Sequence, residues 1–193
     1  ARGPVDASFL LQRVVLLVPL LLSLSVHEWA HAWSAWRLGD DTAARLGRLT
    51  LNPMAHADLF GTILLPLMGV PFGWAKPVPV NPARFRRDVR MGTGMAITAA
   101  AGPASNLVLA LACGLGLGLV LRLDAGGAAA GLAQLLNRAI ILNIALALFN
   151  LLPIPPLDGS RIVDGFLPYR LRPQWEAVQR VAPFLLVAIF FHG

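Results

Sequence analysis

The apolar residues of this chain come in long runs rather than in alternating patterns. A membrane-spanning helix needs about 20 mainly apolar residues, and the runs that predict spans are 9–36, 93–121, 132–152 and 177–191. A further run, 59–72, is short and broken by glycine and proline, which favours a re-entrant segment over a full crossing. We therefore predict an all-α polytopic membrane protein with about five transmembrane helices plus a re-entrant segment.

Composition supports this fold class and limits the function classes. Of 193 residues, 56% are hydrophobic and 13% are charged, whereas a soluble domain carries about 25% charged residues. The length suits one domain over residues 1–193. The net charge of +6 arises from arginines that are not interleaved with aromatic residues, so we predict a lipid bilayer and no nucleic acid as a partner.

The distribution of basic residues predicts the topology. If 59–72 re-enters, the loops 37–92 and 153–176 lie on one side of the membrane and hold most of the lysines and arginines. The positive-inside rule makes that side cytoplasmic. The C-terminal ends of runs 9–36 and 132–152 then lie at the same face.

A metal-binding motif occurs where the first run ends. His27 and His31 are four residues apart, so on a helix both side chains project from one face. That spacing lets two imidazoles bind one Zn²⁺, and Glu28 can act as a general base on a zinc-bound water. A charged group inside a span costs about 2.5–3.5 kcal/mol. This cost favours a functional site over the alternative that the span ends at Val26 and the cluster is solvated.

A catalytic zinc needs a third protein ligand and one open position. Asp158 is the preferred candidate, because it follows the apolar run 132–152 and three prolines that stop the helix and expose polar groups. The alternative is an ordinary proline-rich exit loop ending in a turn. The other candidate ligands are His56, His192, Asp40, Asp41, Asp58, Asp88, Asp124, Asp164 and Glu176.

Four motifs together resemble the site-2 protease family of intramembrane zinc metalloproteases. They are HEWAH at 27–31, GWAKPVPVNP at 73–82, GPASN at 102–106 and NLLPIPPLDG at 150–159. The matches cover most of the chain. The GWAKPVPVNP motif resembles the short bacterial and archaeal members, so the resemblance implies a prokaryotic cell membrane. The chain is too short for the PDZ or CBS domains of larger relatives.

The resemblance also implies site roles. One zinc per chain is held by His27, His31 and Asp158, with Glu28 as the catalytic base. Asn150 helps to stabilise the oxyanion, and Asn106 is a supporting polar residue near the site. The implied substrates are single-pass transmembrane proteins, cleaved within or near their membrane segments by a site close to the cytoplasmic side.

A transmembrane substrate must unwind before its peptide bonds can be hydrolysed, and an exposed strand edge can hold the unwound stretch. We predict a small cytoplasmic-side β element from residues 45–52 and 77–82, with the alternative that both are inert connectors. His56 and Asp58 lie just before the re-entrant segment. They could form a reserve metal site or a gate, but the sequence favours a turn-forming or interfacial role.

Two other functions compete with proteolysis. A membrane transporter or a scaffold that binds zinc without hydrolysing peptides would also use His27, His31 and Asp158. Either would leave Glu28 without a task, and a transporter would place ligands on several spans near the midplane.

Overall fold

The computed structural model describes residues 7–68, 73–123 and 126–192, and within them the chain is helical with no strand. The α-helices are α1 (Ala7–Arg37), α2 (Thr42–Arg45), α3 (Pro53–His56), α4 (Leu65–Leu67), α5 (Met91–Arg122), α6 (Gly126–Asn150), α7 (Asp158–Phe166) and α8 (Arg172–His192). A π-helix covers Leu59–Leu64, and 3-10 turns cover Pro82–Arg84 and Tyr169–Leu171. The predicted all-α class is confirmed for these residues.

Two segments of the described chain are long and apolar enough to cross a membrane, Met91–Arg122 in α5 and Ala129–Asn150 in α6. Their large apolar side chains are widely exposed, for example Leu115 at 70% and Ile141 at 62%. Such an exposed apolar surface fits contact with lipid. The total of about five transmembrane helices stays a prediction.

Helix α5 is at the centre of the fold and packs against α1, α6 and α7. Its buried positions include small residues, Ala96, Ala99 and Gly102, and small residues of α1 such as Ala32 and Ala35 are fully buried. Small side chains let helix backbones approach closely in a membrane. Close packing of α1, α5 and α7 places their polar side chains against one another.

The segment 59–72 contains a helical part of nine residues, formed by Leu59–Leu64 and α4. At 1.5 Å per residue this part is about 14 Å long, about half the thickness of a bilayer core. Residues 69–72 lie outside the described residues. Re-entry of the whole segment therefore stays a prediction, while the described helical part is too short to cross.

The predicted β element is not confirmed, since neither 45–52 nor 77–82 forms a strand. Pro77, Pro79 and Pro82 have no N–H to donate to a ladder. The N–H groups of Val78 and Asn81 are already bonded to carboxylate side chains. Residues 77–81 belong to no helix or strand, and few of their backbone groups are left for strand pairing.

The loop that follows residue 73 returns to the C-terminal end of α1. Gly39 ends α1 with φ of 110°, a conformation that favours glycine. A Cβ at this position would lie 2.9 Å from the backbone nitrogen of Arg86, which donates to the Leu38 carbonyl at 2.8 Å. This contact holds the segment 73–82, called the proline-rich loop below, beside the helix that carries the histidines.

Candidate metal centre

The two histidines of α1 face each other as their helical spacing predicts. Their ring centroids are 4.6 Å apart, and the Nε2 atoms of His27 and His31 are 3.0 Å apart. Both residues are buried, at 5% and 7% exposure. One face of α1 therefore presents two imidazole nitrogens to a single point inside the protein.

Asp158 completes this cluster from the opposite end of the chain. Helix α6 ends at Asn150, and α7 begins at Asp158 after the proline-rich turn. The Oδ2 atom of Asp158 lies 3.1 Å from His27 Nε2 and 3.3 Å from His31 Nε2. The structure thus brings together the three residues that the sequence analysis selected as ligands.

Hydrogen bonds to both Nδ1 atoms place a proton on that nitrogen of each ring. His31 Nδ1 is 2.7 Å from the Thr98 carbonyl oxygen, which can only accept, so Nδ1 carries the proton. His27 Nδ1 is 2.6 Å from Asn106 Oδ1 and donates to it. With the proton on Nδ1, Nε2 is the nitrogen of each ring that faces Asp158 and can serve as a metal ligand.

This donor set fits a bound cation. Two Nε2 lone pairs and a carboxylate oxygen converge at 3.0–3.3 Å, and the buried Oδ2 of Asp158 has no hydrogen-bond donor. Tetrahedral zinc ligands at about 2.0 Å from the metal are separated by about 3.3 Å. Two imidazoles and one carboxylate at this separation match a catalytic zinc site that keeps one position open.

Glu28 is buried beside the ligand pair and is bound by the proline-rich loop. The Val78 N–H donates to Glu28 Oε2 at 3.0 Å. This contact was not foreseen from the sequence, since it uses a backbone group of an otherwise apolar residue.

A polar network extends from His27 into the apolar interior of the helix bundle. Asn106 Nδ2 donates to Asn143 Oδ1 at 2.8 Å, and Asn143 Nδ2 donates to Ser23 Oγ at 2.9 Å. Both asparagines are fully buried and Ser23 is 1% exposed. The network links α1, α5 and α6, and it fixes the Asn106 amide with its oxygen towards His27. Asn106 thus lies next to His27, and its supporting role stays a prediction. Asn143 was not singled out from the sequence.

Asn150 lies at the end of α6, and its side chain donates to the Leu146 carbonyl in the same helix at 3.0 Å. Its predicted part in oxyanion stabilisation stays a prediction.

His56 and Asp58 stand apart from the ligand cluster, and each has a local structural contact. Asp58 caps the π-helix by accepting from the N–H groups of Phe60 and Gly61. His56 is buried, and its Nε2 donates to the Thr50 carbonyl at 2.7 Å. These contacts favour the turn-forming interpretation over a second metal site.

Replacing Asn106 by Leu is expected to weaken zinc binding by about 10- to 100-fold. The substitution leaves the His27 Nδ1–H and the Asn143 Oδ1 without a partner, which frees the orientation of the ring. Competition with a chromogenic chelator measures the affinity. The matched control is Asn137→Leu, an exposed asparagine on α6, and equal affinities of the two variants would contradict the expectation.

Comparison with known proteins gives consistent matches. The sequence model described as peptidase family M50 matches residues 117–192. The chain is 41% identical over 181 residues to a Bacillus subtilis protein named "Putative zinc metalloprotease YwhC", covering 91% of this chain and 79% of that protein. It is 33% identical to "Putative zinc metalloprotease Rip2" of Mycolicibacterium smegmatis and 31% identical to that of Mycobacterium tuberculosis strain H37Rv. These two alignments cover 91% and 90% of this chain, and 66% of each relative. No solved structure matches the chain significantly.

Proposed function

The chain belongs to peptidase family M50, the site-2 protease family, and on that premise we propose that it is an intramembrane zinc endopeptidase. Its substrates are single-pass membrane proteins, hydrolysed within or near their transmembrane segments. The observation that carries the proposal is the buried cluster of His27, His31 and Asp158, in which both Nδ1 atoms are already bonded and Asp158 Oδ2 has no hydrogen-bond partner. A divalent cation is what such a donor set needs.

Bound zinc would activate water and polarise the scissile carbonyl. Glu28, next to His27 in sequence, takes the proton from the attacking water as general base. The same carboxyl then delivers the proton to the leaving amine. The side-chain amide of Asn150 donates to the developing oxyanion, for which it has to leave the Leu146 carbonyl.

The arrangement of helices supports action inside the membrane. The ligands lie on α1 and at the start of α7, both packed against α5, whose outer surface is apolar and exposed. The excess of basic residues in loops 37–92 and 153–176 supports a site near the cytoplasmic side, by the positive-inside rule. A peptide bond reaches this site only after the substrate helix has unwound locally.

A zinc-binding transporter or scaffold is not favoured. Either protein would use the three ligands, but neither function requires the buried carboxylate of Glu28 beside them. Zinc analysis together with a cleavage assay in detergent separates the peptidase from these two alternatives, because only the peptidase both binds the metal and releases a product.

Removing the metal is expected to abolish cleavage and to destabilise the protein. Treatment with 1,10-phenanthroline takes the zinc from the ligands, and one equivalent of Zn²⁺ per chain is expected to restore the activity. Saturation at about 100 times the dissociation constant stabilises the fold by about 2.7 kcal/mol, so the melting temperature is expected to fall when zinc is removed. Cleavage that survives complete zinc removal, shown by atomic absorption, would contradict the proposed function.

A further inference from the structure

The proline-rich loop brings one backbone donor to the carboxylate of Glu28. In the tripeptide Pro77-Val78-Pro79, only Val78 has an N–H group. That N–H donates to Glu28 Oε2 at 3.0 Å, and both residues are buried. The two flanking prolines also restrict the backbone on either side, so the direction of this single donor is fixed.

A buried arginine holds the loop on the N-terminal side of Val78. Arg48 is 7% exposed, and its Nη2 donates to the carbonyl oxygens of Lys76 and Pro77, the latter at 3.4 Å. These are the two carbonyls that immediately precede the Val78 N–H. Among the described residues Arg48 forms no salt bridge, and its hydrogen bonds go to the backbone of the proline-rich loop.

A buried aspartate holds the loop on the C-terminal side. Asp40 is fully buried, and its Oδ2 accepts from the Asn81 N–H at 2.6 Å. Its other oxygen accepts from the backbone and the hydroxyl of Thr42, at 3.0 and 2.5 Å. Asp40 directly follows the glycine that ends α1, so the loop is attached to the same helix that carries Glu28.

We propose that the Val78 N–H positions the carboxylate of Glu28, and that Arg48 and Asp40 are positioning residues that hold the loop in place. The inference rests on the proposed function in that Glu28 is taken as the base. The terminal torsion of a glutamate is broad, so a free carboxylate rotates among many orientations. A fixed donor on one oxygen limits that rotation and keeps the base in the orientation that proton transfer requires.

The test replaces the donor without removing the loop. Val78→Pro deletes the N–H in a segment that is neither helix nor strand, and kcat is expected to fall by about 10- to 100-fold, with KM and zinc content unchanged. Val80→Pro is the matched control, because it adds a proline to the same loop where the N–H has no hydrogen bond in the described structure. The control is expected to keep kcat near that of the wild type.

A spectroscopic measurement gives a second readout that does not depend on turnover. The chain has two glutamates, Glu28 and Glu176, so labelling glutamate at the carboxyl carbon with ¹³C yields two signals. Glu28→Gln identifies the signal of Glu28. At one pH, Val78→Pro is expected to shift that signal, and Val80→Pro is expected to leave it in place.

Arg48→Gln is a second variant in case Val78→Pro does not fold. It removes the contacts to the loop and is expected to lower kcat and shift the Glu28 signal, with zinc retained. Its matched control is Arg45→Gln, an exposed arginine paired with Asp41 on the surface. A Glu28 signal that neither variant shifts overturns the inference, as does a rise in KM with kcat unchanged. If the wild type binds zinc but cleaves nothing, the proposed function fails, while the carboxyl signal still decides whether the loop orients Glu28.

Discussion

The Glu28→Gln variant is expected to keep its zinc and to lose peptidase activity by about 10²- to 10⁴-fold, the contribution typical of a general base. Glutamine has nearly the same shape and can still accept a hydrogen bond from the Val78 N–H, so the loop and the ligands are expected to stay in place. What it lacks is a basic oxygen that can take a proton from water. The measurement is initial cleavage of a transmembrane substrate, with zinc determined on the same sample.

Glu176 provides the matched control for this experiment. It is the other glutamate of the chain, and it is exposed on α8. Glu176→Gln makes the same chemical change and is expected to leave cleavage intact. An active Glu28→Gln enzyme would remove Glu28 from the mechanism, and loss of zinc in that variant would show that the residue supports the metal site instead.

Adding one methyl group at Gly102 is expected to disable the metal centre. A Cβ on this residue of α5 would lie 2.5 Å from Nε2 and Cε1 of His31 and 2.6 Å from Cε1 of His27. Contacts this short require the helix or the rings to move, and a displacement of about 1 Å costs about 10²-fold in rate. In Gly102→Ala, zinc affinity is expected to fall together with cleavage.

The control for Gly102→Ala is Gly118→Ala on the same helix, where an added Cβ meets no atom within 4 Å. Both substitutions change helix propensity alike, so the difference between them reports the contact with the histidines. Zinc affinity and cleavage are expected to be unaffected in Gly118→Ala. Equal zinc affinity in the two variants would show that α5 can shift away from α1 without disturbing the site.

The part of the site that follows from helical periodicity was predictable from the sequence. His27 and His31 lie on one face because α1 is a regular helix through both residues. Predicting Asp158 as a ligand also required a topology in which the C-terminal ends of α1 and α6 lie at the same face of the membrane. The position of Asp158 beside the histidines agrees with that topology. The roles of the individual residues stay predictions until the variants have been measured.

Contacts that depend on the relative rotation and depth of helices could not be predicted. An asparagine flanked by apolar residues, as Asn143 is, signals a buried polar contact, but nothing in the sequence shows that it contacts Asn106 rather than another group. The contact of the Val78 N–H with Glu28 could not be predicted either, because a backbone group does not appear in the pattern of side chains. The expected strand pairing of 77–82 failed to form for a related reason, since side chains of α1 and its following turn use the same backbone groups.

The ligands come from opposite ends of the described chain, with His27 and His31 on α1 and Asp158 at the start of α7. Synthesis proceeds from the N-terminus, so the ribosome delivers the two histidines long before the aspartate. During that interval Glu28 and two of the three ligands are present without the third. A nascent chain in this state has no assembled metal centre, so any activity of that centre begins only after Asp158 has been synthesised and has packed beside the histidines.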